Sequence, residues 1–154
     1  MYKFKINMII DAEGHILGRL SSFIAKQALM GENVIVVNAE KAVVSGKKEA
    51  VFKKYLKRLE WKNKMNYRKG PFHQKRPDKF VRKAIRGMLP FERLRGRDAY
   101  KKIMVYTGIP ENEIMRVHNL NVNKEGMYNS ENIRKSAIGV TVADICKFIG
   151  GKKQ

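Results

Sequence analysis

Cysteine is almost absent from this chain. Of 154 residues only Cys146 is one, so no disulfide closes within the chain and no cysteine-cluster metal site forms. A reducing compartment is the expected home. Carboxylates are scarce too: 14 Asp and Glu stand against 33 Lys and Arg, for a formal charge of +19. No apolar run approaches the roughly 18–20 residues that cross a bilayer, and Met1 to Met8 lacks the unbroken apolar core of a signal peptide. These absences predict a soluble, cytoplasmic protein with no membrane partner. The three histidines, His15, His73 and His118, are far apart and have no zinc-ligand spacing. No carboxylate pair is placed for general acid–base or two-metal work. Cys146 falls on an apolar helical face, where a buried, inert thiol is expected rather than a nucleophile. The residues offer no catalytic constellation and predict neither enzyme activity nor a small-molecule substrate.

What is present is cation, and it is concentrated. Residues 45–105 hold 21 Lys/Arg against 5 Asp/Glu, a net +16, while the flanking thirds are close to neutral. A charge packed into the middle third predicts one face built for a polyanion, with nucleic acid ahead of an acidic membrane surface or an acidic protein. The apolar content of 44% is that of a globular chain, and the length suits a single domain spanning 1–154.

Hydrophobic periodicity supplies the elements. Met8–Ile10 running into Asp11–Gly14 reads as a buried strand and turn, and Ile16–Met30 carries Leu17, Leu20, Ile24 and Ala28 at helical spacing, with Gly31 as C-cap. Val34–Val37 is a continuous β-branched run, the pattern of a strand buried on both faces. Strand, helix and strand so placed predict a βαβ unit. A second helix is expected from Ser45 as N-cap, with Val51, Phe52, Tyr55, Leu56 and Leu59 as its apolar stripe. Residues 60–77 read as a basic arm without period. Pro77 opens a third helix with Phe80, Val81, Ala84, Ile85 and Met88 toward the core, stopped by Pro90. A basic turn around Gly96, a short helical stretch and a strand at Ile103–Tyr106 follow. Residues 111–136 read as polar loop with a short strand near Met115–His118. A last helix uses Val142, Ile145, Cys146 and Ile149, and 150–154 is a frayed basic tail. The fold class is α/β: a small, mainly parallel sheet of about four strands flanked by helices, with an extended basic arm.

The candidate RNA-contacting residues lie on these elements. Lys47, Lys48, Lys54 and Arg58 occupy the polar faces of the second helix, where a plain solvated surface is the competing reading. In the arm, Lys62, Arg68, Lys69, His73, Lys75 and Arg76 are interleaved with Phe72, which either stacks on RNA or anchors the arm in the protein's own core. Lys79, Arg82, Lys83 and Arg86 recur at i, i+3, i+4 and i+7, one cationic stripe on the third helix. Arg93, Arg95 and Arg97 alternate around Gly96, with Lys101 beyond. Guanidinium forks grip phosphate bidentately and stack on bases, which suits structured RNA. The Gly14–Gly18 turn tempts a nucleotide-cofactor reading, but its spacing matches neither a dinucleotide-binding fingerprint nor a P-loop. Gly14 for the turn and Gly18 for close packing of helix on sheet is the simpler account, and no cofactor is expected.

Asp11–Gly14, Leu17–Leu20 and Val36–Lys41, followed in order by Gly70-Pro71, Arg86–Pro90, Arg95-Gly96, Val105-Tyr106 and Gly108–Pro110, resemble the universal large-subunit ribosomal protein family numbered thirteen. The likeness spans roughly residues 8–110. Asn38–Lys41 with Gly108–Pro110 is similar to the archaeal and eukaryotic branch more than the bacterial one. The resemblance implies an α/β fold, a structural role in the large ribosomal subunit with rRNA and neighbouring ribosomal proteins as partners, and no enzymatic activity. It also implies that Arg86, Arg95 and the Gly70-Pro71 loop face rRNA.

Overall fold

The computed structural model describes residues 8–118, 127–128 and 139–151. Expectations placed on residues 1–7, on 119–126 and 129–136 of the polar region, and on 152–154 lie outside them.

β1 (Met8–Asp11), α1 (Leu17–Met30) and β2 (Val34–Val37) form the βαβ unit that the hydrophobic pattern predicts. The strands are parallel, with Met8 opposite Val34 and Asp11 opposite Val37. All four residues of β2 are buried, because β2 is central: it pairs with β1 on one side and with β4 (Ile103–Val105) on the other. With the two-residue β5 (Met127–Tyr128) beyond β1, the order is β4-β2-β1-β5 and every pairing is parallel. Gly31 ends α1 at φ 110°, its N–H donating to the Ala28 carbonyl. That left-handed conformation is the reason glycine stands there.

The sheet is covered on both faces. Leu20, Ile24 and Ala28 of α1 pack with Ile10, Val34, Val36 and Ile103, and with Val81 and Ile85 of α3 (Pro77–Arg86). On the opposite face Ile9, Ile35 and Val37 close over Ile114 of α5 (Glu111–His118). Alternate residues of β1 and β2 thus serve two cores, as the two-residue strand period demands. Full burial of one such isoleucine contributes about 1.5–3 kcal/mol.

A second, antiparallel pair joins β3 (Val43–Ser45) to β6 (Gly139–Thr141), with Val43 opposite Thr141. β6 leads directly into α6 (Val142–Phe148), capped by Thr141, whose Oγ1 accepts from the Asp144 N–H at 3.2 Å. α6 presents Ile145 to the lysine-rich α2 (Lys48–Glu60), where Val51, Val140 and Ile145 form a small core of their own. Phe52 stacks on Phe148 with ring centroids 4.2 Å apart.

Several expectations are corrected. Residues 115–118 are helical, not a strand: Pro110 precedes the first turn, Glu111 and Glu113 sit at its positive end, and only Ile114 is buried. Ser45 ends β3 instead of capping α2, whose N-cap position is Lys47 with no side-chain cap. α3 ends at Arg86, ahead of Pro90, and Leu89, not Met88, turns into the core. Leu56 of α2 is exposed. Gly18 is exposed with no atom within 4 Å of where a Cβ would stand, so it provides no close helix–sheet approach. Gly96 does provide one, inside a helix rather than in a turn.

Candidate nucleic-acid interface

α4 (Leu94–Lys101) begins where the turn expected around Gly96 was placed. Arg93 occupies its N-cap position and Arg95 and Arg97 its first turn. The buried Gly96 brings this helix against the Pro90 carbonyl. The Gly87–Arg93 connection joins α3 to α4, and Arg82 of α3 reaches Tyr100 of α4.

The eighteen candidate residues are placed as follows. Lys47, Lys48, Lys54 and Arg58 are exposed on or beside α2, and Lys62, Arg68, Lys69, Lys75 and Arg76 are exposed along the arm, with His73 half-buried. Between Glu60 and Pro77 the arm has no regular element beyond a 3₁₀ turn at Tyr67–Lys69. Lys79, Lys83 and Arg86 are exposed on α3 and Arg82 is half-buried, while Arg93, Arg95, Arg97 and Lys101 are exposed around α4.

Their surroundings divide them. Arg97 folds back on the neighbouring backbone while staying exposed, its Nε donating to the Phe91 carbonyl at 3.2 Å and its Nη2 to that of Glu92 at 3.3 Å. Lys101 pairs with Asp98 and Arg76 with Asp78, each at 3.2 Å. Such surface pairs are worth about 0–1 kcal/mol and yield readily to a competing phosphate. Lys83 Nζ donates to the Phe72 carbonyl at 3.1 Å, binding the arm to α3. The stripe on α3 is therefore not uniform. The Arg82 guanidinium lies 4.7 Å from the centroid of Tyr100, and that of Arg86 lies 3.9 Å from that of Phe91. Phe91 and Tyr100 in turn pack edge to face at 5.4 Å. Two guanidiniums are thus held over two packed rings, which restricts them more than a free flexible arm. The side chains of Lys54, Lys62, Lys69, Lys79, Arg93 and Arg95 make no hydrogen bond or ion pair among the described residues.

Phe72 is 66% exposed, so it does not anchor the arm in the core. The aromatic partners of the arginines were not legible beforehand. A ring five residues after Arg86, across a proline, gives no periodic signal. Trp61, the sole tryptophan, is 60% exposed at the end of α2, and no periodic pattern marks it in the sequence.

The Gly14–Gly18 turn is filled by the protein's own groups. His15 is buried, its carbonyl accepts from Val43 at 2.9 Å, the Gly14 N–H donates to Lys41, and Lys41 Nζ bonds Glu13 at 2.8 Å. Asn38, left-handed at φ 54°, donates from its side chain to Asp11. Glu40 accepts the Gly108 N–H through both carboxylate oxygens, which ties the Asn38–Lys41 motif to the Gly108–Pro110 motif. Cys146 is buried, and that burial pushes its thiol up to about 11, the opposite of what a nucleophile needs. No helix among the described residues is long and apolar enough to cross a membrane.

A family model described as ribosomal protein L13 matches residues 5–112. The chain is 41% identical over 142 residues to the large ribosomal subunit protein uL13 of Archaeoglobus fulgidus, which covers 92% of this chain and 86% of that one. It is 40% identical over 146 residues to the protein of that name from Methanococcus maripaludis, covering 94% and 98%. For Haloarcula marismortui the figures are 45% over 111 residues, covering 72% and 74%.

Proposed function

Since the chain belongs to the ribosomal protein L13 family, structural proteins of the ribosome and not enzymes, we propose that it acts as a single rRNA-binding domain of the large subunit and supports subunit assembly and translation in the cytoplasm. The observation that carries this reading is the distribution of charge. The +16 of residues 45–105 is displayed on α2, the arm, α3 and α4, and sixteen of the eighteen candidate side chains are exposed. The two cores beneath make a rigid platform. Phosphate contacts fix where rRNA segments lie, with little base-edge readout from α2 and α4. Neighbouring ribosomal proteins are the other partners of this reading.

The test is binding of the full-length protein to large-subunit rRNA fragments across a salt series. If about 6–10 cations meet phosphates, affinity falls roughly 10³- to 10⁵-fold between 50 and 200 mM salt. Replacing Lys79, Arg93 and Arg95 with Gln should flatten the slope, each side chain removing close to one counterion. Gln in place of Lys26, which lies outside the segment, should not. An identical slope for the two variants would remove the assignment of the interface.

A further inference from the structure

A hollow of about 510 Å³ opens between the end of α2, the arm and the outer side of α3. It lies within the roughly 300–1,000 Å³ of sites that enclose a ligand-sized group. Its lining combines aromatic, aliphatic and cationic surface, the aliphatic part coming from Leu17, Leu59 and Ile149. Tyr55, Trp61 and Phe80 supply aromatic surface, and Arg58, Lys83 and His73 supply cations or hydrogen-bonding nitrogen, with no carboxylate in the wall. The walls are fixed in place. His73 Nε2 lies 3.3 Å from the Trp61 carbonyl, Lys83 holds the Phe72 carbonyl, and Tyr55 packs on Phe80 with centroids 5.4 Å apart. Arg58 lies 5.3 Å over the Tyr55 ring, and Trp61 keeps most of its indole in solvent.

Aromatic faces beside cations, in a concave site without acidic groups, match one kind of occupant better than others: a flat π-system joined to an anion. A single RNA nucleotide turned out of its stack has both. An apolar protein segment would leave Arg58 and Lys83 without counter-charge. We propose that the hollow receives one unstacked rRNA base, stacked against the aromatic wall, with its phosphate at Arg58 and Lys83. The inference rests on the RNA-binding reading and deepens it: most of the basic surface meets backbone, and this hollow meets a base.

Trp61 is the only tryptophan, so it reports on its own site. The full-length protein is titrated with a short oligoadenylate and with an abasic phosphodiester strand of the same length, following Trp61 fluorescence and the anisotropy of an end label. The expected result is binding of both strands with quenching by oligoadenylate alone. Trp61→Leu should weaken oligoadenylate roughly 5- to 100-fold and leave the abasic strand unchanged. If both strands bind, but quench alike or not at all, the base site is overturned while the RNA reading stands. If neither strand binds, both fall. Quenching by an apolar peptide and not by oligoadenylate would assign the hollow to a protein segment and overturn the inference.

Discussion

Two glycines in helices should respond to the same substitution with opposite sign. Gly96 stands in α4 and Gly18 in α1, and neither has a positive φ. On helix propensity alone each Gly→Ala change stabilises by up to about 1 kcal/mol. At Gly18 nothing opposes this, since an added Cβ meets open space. At Gly96 the Cβ would lie 2.1 Å from the Pro90 carbonyl oxygen and 2.4 Å from its carbon. The carbonyl must retreat by about 1 Å to reach a tolerable separation. It is not free to do so. It accepts the Arg93 N–H at 3.0 Å, and the next residue, Phe91, is held by Arg97, Arg86 and Tyr100. Overpacking costs about 1–3 kcal/mol, and a clash of backbone kind sits at the upper end. Subtracting the propensity gain leaves a net loss of about 2 kcal/mol. For a chain of this size that lowers the melting temperature by roughly 4–8 °C, while Gly18→Ala raises it by up to about 4 °C. Thermal unfolding of both variants followed by circular dichroism reads the two shifts. A Gly96→Ala protein as stable as the wild type would refute the argument, because it would mean the Pro90 turn yields freely.

Arg86→Gln removes the guanidinium from Phe91 and should cost about 0.5–1 kcal/mol in urea unfolding; Arg86→Lys restores the charge, so rRNA affinity should recover more fully than stability. His118, hydrogen-bonded to the Tyr106 hydroxyl at 3.1 Å, has its pKa lowered by burial, with Glu113 acting the other way. The unfolded chain therefore takes up the proton first, so stability is complete above about pH 6.5 and declines as pH falls below it. His118→Gln should flatten that decline in pH-dependent unfolding curves, and an unaltered profile would exclude this histidine as its source. Cys146 should react with a thiol reagent at pH 8 only as fast as the chain opens, so sub-denaturing urea should accelerate labelling far more than raising the pH by one unit.

The parallel core was readable because its signals are local and redundant. Val34–Val37 is β-branched throughout, and Leu17 to Ala28 keeps one helical face to the end, where Gly31 stops it. The β3–β6 pair was not readable. It joins two three-residue strands whose partners are far apart in sequence, and pairing of that kind leaves no trace in either segment alone. α5 resembles a strand in sequence because Met115 and Val117 alternate with polar neighbours as in a half-buried strand, yet both are exposed and Ile114 alone is buried. Within the candidate site, the cations were legible from composition and spacing. Which of them rest on rings or backbone carbonyls was not, since Arg82 with Tyr100 and Lys83 with Phe72 are tertiary contacts.

The small core under α2 has a consequence for the order in which the protein is made. α2 buries only Val51 of its own length, and the residues that cover it, Val140 and Ile145, come roughly ninety residues later in the chain. On a synthesising ribosome, therefore, the lysines of this helix emerge with Phe80 of α3 soon available to Tyr55, but long before the Val140 and Ile145 that close the core over Val51. Until α6 arrives they belong to a loose cationic segment, free to engage whatever polyanion is nearby. The arrival of α6 turns that segment into a positioned surface, which makes the late part of the chain a timing element for its most basic helix.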